Sequence, residues 1–333
     1  MATQNHPPAL IPVLRGLLGE RAATALDVGA RWGAGASWYA LPPLISTVGF
    51  EPDPDECARL NQQRSSSFER YEPVALGKTE GKVQLTITEE PGCSSIFEPD
   101  PEVIARYPLL RVMRPRRSIE VEVTRLDAWA RRAGCGDVAF LKLDVQGAEL
   151  DILEGAGDLL DGCVGLEVEV EFFPLYLGQP LFSDIEQHLR ARGFSLWRLG
   201  NLVHYSEGPT LPRDREDAVV FNGDVASFQA GPGRLCWANA LFFRDHRRLP
   251  PGSWRSRMLL AAFLYAAREF DGMKGCLTGL VDDPETGDEH RDAIREFLRE
   301  WAGFERAWID QQRPASLPSR LFERLSSLRS RKP

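Results

Sequence analysis

The sequence predicts an α/β fold: a doubly wound, mostly parallel sheet with a C-terminal helical appendage. Three observations carry this expectation. Apolar runs of strand length alternate with helix-period segments from residue 23 to about residue 250. The first run enters a glycine-containing turn and the second ends in an acid, as where parallel sheets bind ligands at their carboxyl edge. Beyond Pro250-Pro251-Gly252 the pattern turns to helix alone.

The elements follow in order. Residues 9–20 form a short first helix, and Ala23–Val28 is a buried strand that runs into the turn at 29–35. Residues 46–50 make the second strand, ending at Glu51; Asp53 and Pro54 then supply the N-cap and first-turn proline of a helix reaching residue 64. Strands at 72–76 and 82–88 come next, then a loop carrying Gly92, Ser94 and Ser95, then an alternating strand at 118–124. Residues 138–144 are a fourth core strand, and the helix from about residue 147 sets Leu150, Leu153 and Leu160 on one face. A fifth strand at 163–169 leads to a capping box, Ser183 with Glu186, that opens the helix of Ile185 and Leu189. Strands at 194–199 and 237–243 close the sheet. Ile294, Phe297, Leu298 and Trp301 mark an amphipathic helix beyond it. The chain thus divides into an N-terminal helix (1–22), an α/β domain (23–250), a helical region (251–313) and a basic tail (314–333).

Composition narrows the function classes. With 333 residues, 43% of them hydrophobic, the chain can bury one large core plus an appendage. A net charge of -8 argues against nucleic acid as the main partner, because phosphate backbones are bound through cationic surface. Six scattered cysteines without a Cys-x-x-Cys pair suit reduced thiols and argue against structural zinc. Residues 1–12 lack the order of a signal peptide, and the longest apolar stretch, 258–267, is too short to span a bilayer. A cytoplasmic protein is expected.

Asp27, Gly29 and Gly33 form an Asp-x-Gly-x-x-x-Gly turn in which the backbone can approach a ligand, and Glu51 can accept both hydroxyls of a ribose. Taken singly, an ordinary strand-to-helix turn and a solvated strand end explain these residues equally well; together they point to a nucleoside. An acid beside a pyrophosphate is unfavourable. Beside the ammonium and sulfonium of S-adenosyl-L-methionine it attracts, by about 4 kcal/mol at 4 Å and an effective dielectric of about 20.

The segments LDVGARWG (26–33), GFEPDP (49–54), VALG (74–77), FLKLDVQGAELDILEGA (140–156) and EVEFFPLYLGQPLFSDIEQHL (169–189) resemble the FkbM-type methyltransferases. The resemblance implies a Rossmann-like, seven-stranded sheet with a reversed last strand, and O-methylation of a sugar, glycan or secondary-metabolite hydroxyl. The cofactor-binding candidates are then Asp27, Gly29, Arg31, Gly33, Glu51, Pro52, Ala75, Leu76 and Ser95. Arg31 departs from the family, which usually has Asn there; its cation must point away from the sulfonium or pair with an acid.

Methyl transfer to a hydroxyl needs alignment and a base. Asp144, at the end of the fourth strand, is the preferred base or acceptor clamp; Lys142, two residues earlier on the same face, pairs with it, and Glu149 lies in the first turn of the next helix. A buried salt bridge and a helix N-terminal acid are the competing explanations for Lys142 and Glu149. Glu167, Glu169 and Glu171 share one strand face and must either meet arginines, emerge at the strand end, or touch acceptor or metal. No metal site is expected, and His188, His204 and His246 suit surface or packed positions. The basic run Arg111, Arg114, Arg116 and Arg117 fits either a solvated surface or an anionic acceptor. The tail, with Leu317, Leu321, Leu325 and Leu328 among arginines, leaves peripheral membrane contact, partner contact and disorder open. Trp301, Phe304 and Trp308 could serve as a lid or as a homo-oligomer contact.

Three rival functions stand beside this one. A base-nitrogen methyltransferase would carry an Asn/Asp-Pro-Pro-aromatic segment where this chain reads LDVQG. A methyltransferase-like binding module without catalysis is raised by Arg31. A nucleotide-sugar dehydrogenase is the most distant.

Overall fold

The computed structural model describes residues 7–33, 41–64, 66–207, 219–222, 225–227, 233–250 and 252–311. The chain begins with α1 (Leu10–Leu18), β1 (Ala23–Val28), β2 (Ile45–Phe50), α2 (Pro54–Gln63), β3 (Glu69–Glu72), β4 (Ala75–Gly77) and β5 (Gly81–Thr88). It continues through α3 (Pro101–Arg106), β6 (Pro115–Arg125), α4 (Leu126–Ala133), β7 (Val138–Leu143), α5 (Glu149–Ala156), α6 (Leu159–Gly162) and β8 (Gly165–Glu171). Then come α7 (Phe182–Ala191), β9 (Phe194–Ser206), β10 (Val219–Asn222), β11 (Val225–Ser227), β12 (Arg234–Arg244), α8 (Trp254–Ala266), α9 (Phe270–Asp282) and α10 (Asp288–Gln311).

Among the described residues the main sheet has the order β11-β10-β9-β12-β8-β7-β1-β2-β3. From β3 to β8 the neighbours run parallel, so their carboxyl ends share one edge. β12 is antiparallel to both β8 and β9. This is the expected seven-stranded Rossmann-like sheet with one reversed strand, lengthened at its far edge by β10 and β11. A separate sheet, β4-β6-β5, stands beside it.

Strand alternation gives each face its own core. On one side Leu26, Leu141, Leu143 and Val168 pack with Trp129, Ile152, Leu153, Ile185 and Leu189 from α4, α5 and α7. On the other side Ala25, Phe140 and Phe243 pack with Leu14 of α1, Met258 and Phe263 of α8, Met273 of α9, and Phe297 and Trp301 of α10. Phe140 and Phe263 stack with ring centroids 4.5 Å apart. The C-terminal helices therefore pack on this face of the sheet, and Trp301, 2% exposed, is part of their core.

Three expectations need correction. The strand expected at 72–76 is two strands in different sheets, parted at Pro73, which has no N–H to give a ladder. The helix meant to carry Leu150, Leu153 and Leu160 stops at Gly157, whose φ of 55° is left-handed; Leu160 reaches the same core from α6. At α7 the Leu181 amide donates to Asp184 (2.8 Å), so Asp184 takes the role expected of Glu186, and Ser183 lies inside the helix. The basic tail at 314–333 lies outside the described residues. Among those residues no helix is long and apolar enough to cross a membrane.

Candidate functional site

The site begins where β1, β2 and β7 end together. Gly29 has φ 83°, and a Cβ there would lie 1.8 Å from the Asp144 carbonyl oxygen, so only glycine lets the β1 turn meet the β7 tip. The Asp144 amide donates to the Val28 carbonyl (3.0 Å), and the amides of Gly29 and Ala30 donate to the Phe50 carbonyl (3.2 and 3.0 Å). These strand tips form the floor of a cavity of about 280 Å³ that opens to solvent, and the small sheet and the turn after β5 form its far wall.

At the β2 tip Glu51 is 3% exposed and lines the cavity. Burial pushes its carboxyl up to about 7, although the Asp53 amide that it accepts (2.8 Å) and the Arg31 guanidinium work the other way. Arg31 stands 3.8 Å from Glu51 and 3.6 Å from Asp53, so its charge is met by two acids. Pro52, Ala75, Leu76 and Ser95 also line the cavity. The Ser95 hydroxyl donates to the Gln146 carbonyl (2.7 Å), tying the small-sheet wall to the β7 loop.

At the β7 tip Asp144 lines the cavity with its side chain 35% exposed. Lys142 lies 3.5 Å from it and donates to Asp27 at 3.0 Å. Burial disfavours the ammonium, but Asp27 and Asp144 outweigh this and raise its pKa. Gln146, at φ 60°, donates through one amide nitrogen to Asp144 (3.1 Å) and Glu169 (2.7 Å), and its amide oxygen lies 3.0 Å from the Tyr176 hydroxyl. Burial first, then neighbouring carboxylates, push Glu169 well above the usual range, which favours its protonated form.

Of the residues expected from sequence, Gly29, Arg31, Glu51, Pro52, Ala75, Leu76, Ser95 and Asp144 are brought to the cavity wall. Asp27, Gly33, Lys142 and Glu149 are not among its lining residues. Asp27 and Lys142 face each other in the β1–β7 register, so the two charges neutralise one another inside the sheet. Glu149 is 1% exposed and accepts the amides of Val145 (2.8 Å) and Gly147 (3.0 Å), so it shapes its own loop instead of reaching an acceptor. Among the described residues Glu169 and Glu171 meet no arginine; Glu169 lines the cavity, and both Glu171 carboxylate oxygens are buried beside Gln179 without a well-formed hydrogen bond. Burial and the neighbouring acids raise its pKa as well.

Sequence reasoning missed Gln146 as a wall residue, although it sits inside the LDVQG segment; the left-handed turn that aims it leaves no residue-type signature. It also missed Trp32, Pro91 and Gly92 at the wall. Among the described residues no group of three or more His, Cys, Asp or Glu could hold a metal ion.

Sheet order, one reversed strand and a cavity at the parallel strand tips define a Rossmann-like methyltransferase. The family described as "Methyltransferase FkbM domain" matches residues 27–196, just over half of the chain, and the protein belongs to it. It is 30% identical over 167 residues to the 2-O-methyltransferase NoeI of Sinorhizobium fredii, covering 46% of this chain and 65% of that protein. It is 28% identical over 128 residues to Methyltransferase 1 of Beauveria bassiana, covering 35% of this chain and 51% of the relative. The chain thus spans less than two thirds of either relative. Magnesium protoporphyrin IX methyltransferase of Synechocystis, solved with bound SAM, aligns at 11% identity and TM-score 0.31, covering 71% of this chain and 76% of that one.

Proposed function

We propose that this chain transfers a methyl group from S-adenosyl-L-methionine to a hydroxyl of a sugar, glycan or secondary metabolite. The observation that carries the proposal is that Glu51 and Asp144, on the tips of β2 and β7, stand on the wall of one cavity. The wall suits the cofactor. Glu51 offers a buried carboxylate for two ribose hydroxyls, and Phe50, Val74, Leu85 and Ile96 offer apolar surface for a flat base. S-adenosylmethionine would supply an electrophilic methyl carbon.

This chain's own residues do the rest. Asp144 takes the proton of the acceptor hydroxyl, Lys142 holds the charge beside it, and Gln146 turns the carboxylate by bonding one of its oxygens. The name of the relative from Sinorhizobium fredii favours a hydroxyl acceptor. Arg31, the reason to consider an inactive module, is offset by Glu51 and Asp53. The test is calorimetry with S-adenosylhomocysteine, followed by labelled methyl transfer to a panel of hydroxylated sugars. Saturable binding and labelled product are expected; a protein that binds no S-adenosylhomocysteine would overturn the proposal.

A further inference from the structure

Two surface features outside the cofactor wall converge on the turn Pro91–Cys93. On one side Trp32 is 72% exposed, yet it lines the cavity, and its indole nitrogen lies 3.4 Å from where a Cβ on Gly92 would stand. An indole left in water at a cavity mouth is apolar area that a ligand can cover. On the other side the turn is hydrogen-bonded to an arginine-rich segment: Glu89 donates to the Arg114 carbonyl (3.0 Å) and Glu90 to that of Val112 (2.9 Å).

The register decides which way this segment faces. Leu85, a cavity-wall residue, pairs with Ile119, and Ile87 pairs with Arg117. Alternation therefore places Arg117 on the cavity-side face of the small sheet, one pair beyond Leu85 and nearer the Pro91 turn. Arg114, Arg116 and Arg117 are exposed, and none of their guanidinium groups has an ion pair or hydrogen bond among the described residues, whereas those of Arg59, Arg106, Arg125 and Arg132 all do. Glu89 and Glu90 are the acids of the turn itself, and the Glu90 carboxylate is engaged by the Gly92 amide (3.3 Å). The arginines outnumber them, a local surplus of positive charge on a chain of net charge -8.

Resting on the methyl-transfer proposal above, we infer that the acceptor is a phosphate-bearing sugar, with its phosphate held by Arg117 on the cavity-side face, in the positive field that Arg114 and Arg116 add, and its ring laid against Trp32. Guanidinium groups suit phosphate oxygens, and the indole face suits the apolar face of a pyranose. The hydroxyl to be methylated would then reach inward toward Asp144.

The probes are inorganic pyrophosphate and glucose 1-phosphate, titrated by calorimetry with and without saturating S-adenosylhomocysteine at low and moderate salt. Wild type is expected to bind both saturably and more weakly as salt rises. The triple variant R114A/R116A/R117A should lose tenfold or more of the affinity for both, and Trp32→Ala several-fold for glucose 1-phosphate alone. S-adenosylhomocysteine binding should stay unchanged in the triple variant. An unchanged affinity in the triple variant, or no saturable pyrophosphate binding, overturns the inference. Binding to phosphatidylglycerol vesicles without binding to pyrophosphate also overturns it, assigning the arginines to a membrane surface. Loss of S-adenosylhomocysteine binding by wild type would instead strike the methyl-donor proposal, and the pyrophosphate titration without cofactor would still read the arginines.

Discussion

Glu51 is held in a place that suits a ligand better than it suits the fold. Its buried carboxyl titrates near 7, above the 4.5 of an exposed glutamate. Protonation of this group therefore adds stability that is full below pH 4.5 and is lost as pH rises through about 7. Glu51→Gln should be more stable than wild type at pH 8, by on the order of 3 kcal/mol or less, and equally stable at pH 4. The same variant should bind S-adenosylhomocysteine at least tenfold more weakly, because an amide cannot accept from both ribose hydroxyls. Calorimetry and thermal melts read both effects, and a variant stabilised without losing affinity would remove Glu51 from the ribose site. Asp144→Asn separates binding from chemistry: cofactor affinity is expected to persist while turnover falls about 100-fold or more. Near-normal turnover would take Asp144 out of the mechanism.

Two helix glycines with opposite surroundings test how the elements carry the site. Gly155 in α5 passes so close to β4 that a Cβ would meet the Gly77 carbonyl oxygen at 2.2 Å, whereas Gly303 in α10 has nothing within 4 Å. Gly155→Ala should cost about 3 kcal/mol of stability by forcing α5 off the small sheet. Gly303→Ala should gain about 0.5–1 kcal/mol from helix propensity alone, and urea denaturation compares the pair. The elements themselves were largely legible: β1 appears at the residues expected, and Asp53 caps α2 as read, accepting the Asp55 amide at 3.2 Å. β4 was not, because Ala75–Gly77 belongs to a second sheet whose existence depends on a partner, Val123–Arg125, far along the chain. Local pattern holds no record of which sheet a short strand joins.

For the molecule as a whole, the prediction concerns the helices after Gly252. Phe263 of α8 stacks on Phe140 of β7, the strand that carries Lys142 and leads to Asp144. Phe263→Ala should cost about 3–5 kcal/mol and lower the melting temperature, because it opens a cavity between the two layers. A loss below about 1 kcal/mol would mean that the helices are a loosely attached unit.

Periodicity, turn chemistry and the acid at each strand end were enough to establish the sheet, its cavity edge and the places of Glu51 and Asp144 at strand ends, since these follow from short stretches of chain with strong local preferences. Which carboxylates face the cavity and which are spent inside the protein was settled by packing. Asp27 is neutralised by Lys142 across a strand register and Glu149 accepts its own loop's amides, whereas Glu169 stays on the cavity wall, hydrogen-bonded by a Gln146 held in a left-handed turn. Those outcomes depend on groups brought together from distant parts of the chain, and on burial, which no run of neighbouring residues expresses.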